Sequence, residues 1–227
     1  MKKVLVILLS ASLLFTGCSS WSNTAKGSLI GAGGGAALGA GLGALITGTG
    51  SGAAIGAAIG TAVGTGTGAL IGKKMDKKAE ELAAIEAAKV ETVKDVNGLD
   101  AIKVTFDSGI LFKTNSANLS DASKKSLQDF ATKMKDMQET DITIYGHTDN
   151  TGSDAVNERL SQQRADAVSN YLSSCGIAKV RMTTAGKSYS MPVADNSTAE
   201  GRAQNRRVEI YVSANETMIQ QAEAGNL

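Results

Sequence analysis

Two residues of opposite charge carry the chemistry of this sequence. Asp149 lies in the glycine-flanked stretch Gly146-His147-Thr148-Asp149-Asn150-Thr151-Gly152, directly after a strand-like run. Arg164 follows on a segment with helical spacing. A carboxylate and a guanidinium held a few ångströms apart could grip a ligand bearing one ammonium and one carboxylate, since an arginine fork takes a carboxylate through two parallel hydrogen bonds. The same two residues could instead pair with each other, an exposed bridge worth at most about 1 kcal/mol. Catalysis has less support. His147 is the only histidine, and no G-x-S-x-G or H-E-x-x-H pattern supplies a nucleophile or a zinc pair. The cysteine and histidine spacing holds no metal site, and nothing calls for a cofactor. With 23 basic against 22 acidic residues, the chain lacks the basic surplus that nucleic-acid binding demands.

The pair needs a scaffold, and the pattern from residue 90 onward predicts one. Val90–Val96 and Leu99–Phe106 flank Asn97-Gly98, a strong hairpin signal. Ser120 is a good N-cap for a helix over about 121–138, where Leu127, Phe130, Ala131, Met134 and Met137 recur at helical spacing. Residues 142–145 read as a central strand ending at the Asp149 loop. A second helix from about Asp154 to Ser174 carries Arg164 and stops at Gly176. Strands follow at 180–185 and 207–212, where Val208, Ile210 and Val212 alternate. This order predicts an α+β fold, a mixed sheet with helices on one face. Arg207 reads as a solvated edge charge, and the tail from Ala214 as weakly ordered.

The N-terminal third is different material. Lys2 and Lys3 precede an apolar run, Val4–Phe15, too short to span a bilayer. The sequence Leu14-Phe15-Thr16-Gly17-Cys18 resembles the bacterial lipobox, which makes residues 1–17 a signal peptide and Cys18 the lipidated start of a short tether, 18–26. Lipidation of Cys18 leaves Cys175 without a disulfide partner. From Gly27 to Gly72, glycine recurs every fourth residue with one slip near Gly48, and no charge interrupts the run. Residues four apart share a helix face, and such small-residue stripes pack membrane helices closely. The expectation is a helical hairpin associated with the membrane, turning near Thr47–Gly52. Glycine-zipper segments also self-assemble, so a homo-oligomer or pore component is a second reading. Lys73, Lys74, Lys77 and Lys78 come next. They suit either anionic head groups, at about 1 kcal/mol each, or a solvated helix start. Residues 73–90 then read as a helical spacer, with the globular domain at 91–213 and the tail at 214–227.

The blocks around Asp149, Asn157, Leu160-Ser161-Gln162-Gln163-Arg164-Ala165, Gly201-Arg202 and Asn205-Arg206-Arg207-Val208-Glu209-Ile210 resemble, in order and spacing, the OmpA-like domain. That module grips peptidoglycan non-covalently. The resemblance covers about Val104 to Val212. It implies that Asp149 meets the ammonium of a stem-peptide diaminopimelate and Arg164 its carboxylate. Asn115 and Thr151 would line the pocket, Asn157 would position the loop, Leu160 would serve as core and pocket wall, and Arg206 would reach the ligand or brace the site. Gly146 and Gly152 would let backbone amides approach the ligand. Together with the lipobox and glycine ladder, it implies an outer-membrane lipoprotein with its domain in the periplasm, tethering membrane to wall.

Overall fold

The computed structural model describes residues 65–107, 111–112 and 115–227. The signal peptide, Cys18 and the glycine hairpin up to Gly64 lie outside the described residues. In chain order the elements are α1 (Thr65–Ala83), β1 (Ala88–Lys94), β2 (Asp100–Asp107), α2 (Asp121–Lys133), β3 (Thr140–Gly146), α3 (Asp154–Ser174), β4 (Met182–Gly186), α4 (Ala199–Asn205), β5 (Arg207–Ala214) and α5 (Glu216–Glu223). A single 3-10 turn, Lys179–Arg181, precedes β4. The strands form one mixed sheet in the order β1-β2-β5-β3-β4. All neighbours are antiparallel except β3 and β4, which run parallel through α3.

Alternation along the strands divides the sheet into two unlike faces. Ile102, Val104 and Phe106 of β2, Ile142 and Ile144 of β3, and Val208, Ile210 and Val212 of β5 are wholly buried on one face. They join a single core cluster with Leu127 and Phe130 of α2, Val168 and Leu172 of α3, and Met218 of α5. Each aliphatic or aromatic side chain buried in this way contributes roughly 2 kcal/mol. Lys103, Thr105, Tyr145, Arg207, Glu209 and Tyr211 alternate with them and form the polar face.

The edges of the domain differ from expectation in three places. Residues 73–90 are not a free spacer. Helix α1 starts at Thr65 and lays Ile71, Met75 and Leu82, all at 0 % exposure, into the core against β1, β2 and α5. Its last ladder glycine serves this contact, because a Cβ on Gly72 would come within 2.7 Å of Asp100 Oδ2. Two of the four lysines are likewise taken up by the domain. Lys78 Nζ donates to Asp136 Oδ1 at 2.7 Å and to the Lys133 carbonyl at 2.9 Å, and Lys74 pairs with Glu139. Beyond residue 213, α5 buries Met218 and Ala222 rather than trailing loosely.

Local signals otherwise agree closely. Ser120 caps α2, accepting from the Ser123 amide at 3.1 Å, and Gly176 leaves α3 at φ +102°. The first hairpin is wider than an Asn-Gly turn. Its ladder ends at Lys94 and Asp100, and buried Asp95 closes the connection by accepting from the amides of Asn97 and Leu99 at 2.8 and 2.9 Å.

Candidate functional site

Sheet register assembles the site. Gly146 at the end of β3 lies opposite Val208 of β5, and the His147 amide donates to the Arg207 carbonyl at 2.9 Å. The loop leaving β3 therefore runs alongside the residues entering β5. This places Asp149 against Arg206, whose Nη1 donates to Asp149 Oδ2 at 2.6 Å. The other carboxylate oxygen accepts from the Thr151 amide at 2.9 Å, a local turn typical of aspartate. Asn157 Nδ2 donates to the Thr151 carbonyl at 3.0 Å and ties the loop to the first turns of α3. Gly152 completes the loop at φ +95°, a conformation open to glycine. Burial opposes the charge on Asp149, but the hydrogen bonds from Arg206 and Thr151 outweigh it and hold the carboxyl below its ordinary range.

Arg164 faces the same place from α3 and does not pair with Asp149; the carboxylate's partner is Arg206. Arg164 is only 3 % exposed. Its Nε donates to the Ser116 carbonyl at 3.2 Å, and its guanidinium lies 5.3 Å from the Phe112 ring centroid. Neither terminal nitrogen has a hydrogen bond among the described residues. Burial and the neighbouring Arg206 cation both disfavour its charge, and only Asp149 supports it. Asn115 is exposed beside Ser116, with φ +52°. Thr151 is exposed and Leu160 half-buried.

The sequence reading missed what braces this loop. Arg207 is not a solvated edge charge but 3 % exposed. It donates from Nε to Glu209 Oε1 at 2.8 Å and from Nη2 to the Met191 carbonyl at 3.0 Å. Glu209 also accepts from Tyr211 Oη at 2.9 Å, and Lys103 Nζ lies 3.3 Å away. His147 is buried beneath the loop, with Nε2 3.5 Å from Glu209 Oε2. Asn205 receives the amides of Val193 and Ala194 at 2.8 and 3.0 Å, fixing the 187–198 segment. That segment in turn accepts the Thr148 amide at Ser188. Alternation already put Arg207, Glu209 and Tyr211 on one strand face, which was the available signal. Gly146 also has a different reason from the expected one. A Cβ there would lie 2.0 Å from the Ser161 carbonyl oxygen, so this glycine seats α3 against β3. Among the described residues no His, Cys, Asp or Glu cluster is placed to hold a metal ion, and no helix is long and apolar enough to cross a membrane.

The OmpA family model matches residues 111–206, a range that includes every expected ligand-site residue, and the YMGG-like Gly-zipper model matches residues 1–76. Among solved structures, the cell wall anchor of the T6SS from Pseudomonas aeruginosa is 32 % identical, with 62 % of this chain and 97 % of that one covered and a TM-score of 0.52. The chain belongs to the OmpA family. The probable lipoprotein YiaD of Escherichia coli is 42 % identical over 114 residues, 50 % of this chain and 52 % of its own length. Peptidoglycan-binding protein ArfA of Mycobacterium tuberculosis is 42 % identical over 113 residues, 50 % and 35 % respectively. The chain thus spans about half or less of these curated relatives.

Proposed function

We propose that this OmpA-family domain binds peptidoglycan and tethers the outer membrane to it. The observation that carries the reading is Arg164, 3 % exposed, whose two terminal nitrogens have no hydrogen bond among the described residues. The terminal nitrogens of Arg164 are not among the buried unpartnered atoms, so they open toward solvent, and a ligand carboxylate can take the place of that water by filling both positions at once. Asp149, held ionised beside it, takes the ammonium of the same diaminopimelate. Asn115 and Thr151 line the pocket from opposite loops, Asn157 keeps the Asp149 loop closed, and Leu160 forms part of the wall. The names of ArfA and of the cell wall anchor support the ligand class. A lipid on Cys18 and the glycine-zipper hairpin hold the other end in the outer membrane, with the domain in the periplasm. Helix α1 belongs to the core, so the wall-binding fold takes in the last glycines of the ladder, Gly68 and Gly72.

Co-sedimentation with purified sacculi tests this, using the mature chain in mild detergent. A truncated fragment must begin before Thr65, since removing α1 uncovers the core. Wild type is expected in the pellet, and Asp149→Ala and Arg164→Ala in the supernatant with unchanged circular dichroism. Wild type remaining in the supernatant sinks the reading.

A further inference from the structure

The four lysines of α1 fall into two pairs with different fates. Lys74 and Lys78 turn into the domain, toward Glu139 and Asp136. Lys73 and Lys77 are exposed, and neither has an ion pair among the described residues. They share a helix face with Leu70, because positions i, i+3 and i+7 line up. Leu70 is 37 % exposed, a large apolar side chain that the core does not take up. Asp76 lies off this stripe, accepting from Thr92 Oγ1 at 3.4 Å. The next charge along the stripe is Glu80, also exposed.

The place of the stripe in the fold matters as much as its composition. The charge-free run that starts at Gly27 continues through the first two turns of α1 and stops at Lys73. Those turns lie where β1 passes into β2. A Cβ on Gly68 would be 3.9 Å from the Leu99 side chain, and one on Gly72 would be 2.7 Å from Asp100. The start of β3 is at the same end of the sheet, since Thr140 and Ile102 pair with Ala214 and Val212 of β5. The Asp149 loop leaves the opposite end, after Gly146. The length of β3, about 20 Å at about 3.3 Å per residue, separates the two ends.

On the reading that a lipid on Cys18 and the glycine ladder hold this chain in a membrane, we propose that the Leu70–Lys73–Lys77 face of α1 rests on the anionic head groups of that membrane and turns the wall site away from it. Leu70 meets the edge of the hydrocarbon. Lys73 and Lys77 follow about 4.5 and about 10 Å farther along the helix, spanning a head-group layer about 5 to 8 Å thick. Helical side chains lean toward the N-terminus, so both ammonium groups reach back to the lipid phosphates. Glu80, about 15 Å beyond Leu70, clears the layer, and the first acid on the stripe escapes repulsion.

The mature lipoprotein reconstituted in vesicles tests this, with acetic anhydride as a neutral probe and mass spectrometry to read each lysine. Attraction to an anionic surface is worth about fivefold per lysine. Lys73 and Lys77 should therefore be acetylated about fivefold more slowly in phosphatidylethanolamine–phosphatidylglycerol vesicles than in phosphatidylcholine. Exposed Lys125 of α2 should react alike in both. Orientation is read with fluorophores at Glu216→Cys, beside the end of β5, and at Asn150→Cys in the site loop, both in a Cys175→Ser background. Nitroxide-labelled head groups should quench the first and spare the second. If the protein floats with the vesicles but Lys73 and Lys77 match Lys125 in both lipids, or position 150 is quenched as strongly as 216, the proposal is overturned and the anchor reading stands. If the protein does not float with vesicles, both fall together. The acetylation comparison needs no variant to fold.

Discussion

Arg181 and Arg164 are both buried arginines, at 8 % and 3 % exposure, and they are treated in opposite ways. Arg181 spends its fork on the fold. Nε donates to the Thr140 carbonyl at 2.8 Å, and Nη2 to the Met137 carbonyl and Thr140 Oγ1, both at 2.7 Å. Nη1 reaches Gln138 Oε1 at 3.3 Å. It closes the turn into β3 with four of its five N–H donors engaged. Among the described residues Arg164 makes one hydrogen bond, through Nε, and its guanidinium lies over the Phe112 ring. Arg181 has a partner at every nitrogen, whereas Arg164 keeps both terminal nitrogens open among the described residues, which is what the proposed wall binding requires.

Four substitutions break or sharpen this contrast, in falling order of expected effect. Glu209→Gln should cost most, about 4 kcal/mol, because it strands the buried Arg207 cation. It also changes the acid limb of stability. Burial opposes the Glu209 charge, but His147 and Arg207 hold its carboxyl well below the ordinary range. A depressed carboxyl stabilises the fold above its unfolded value, about 4.3, and that stability is lost as pH falls through the folded value. Wild type should therefore lose melting temperature steadily below about pH 4.3, and Glu209→Gln, starting lower, should lose less. Arg181→Met should cost about 3 kcal/mol in denaturant melts by orphaning the Met137 and Thr140 acceptors, with wall binding unchanged in the folded fraction. Lys78→Met should cost about 2 kcal/mol, since its partner Asp136 is largely exposed and resolvates. Arg164→Met should stay within about 1 kcal/mol of wild type, because it removes a charge that burial disfavours and keeps the contact with Phe112.

Much of the scaffold was legible because its signals are local. Ser120 and Gly176 punctuate α2 and α3 within a turn of the residues they serve, and alternation in β5 needs no partner to be seen. What escaped depends on residues far away along the chain. Lys74 and Lys78 suit anionic head groups or a solvated helix start equally until the connection between α2 and β3 supplies Glu139 and Asp136. Helix α5 follows a strand end and shows its purpose only when α1 lies across it. At the site, the acid and the arginine were both legible, but not their relation. Register between β3 and β5 gives Asp149 to Arg206 and leaves Arg164 without a carboxylate partner among the described residues. The reason for Gly146 is a backbone approach from α3, which no strand pattern encodes.

The most direct test of the central claim measures two quantities on two variants, Arg164→Met and Arg181→Met: denaturant stability, and the fraction pelleting with sacculi. If Arg164 is reserved for the wall and Arg181 for the fold, Arg164→Met keeps wild-type stability and stays in the supernatant, while Arg181→Met is destabilised and its folded molecules still pellet. If Arg164→Met is as unstable as Arg181→Met and its folded molecules still pellet, Arg164 is one more structural arginine and the account is wrong.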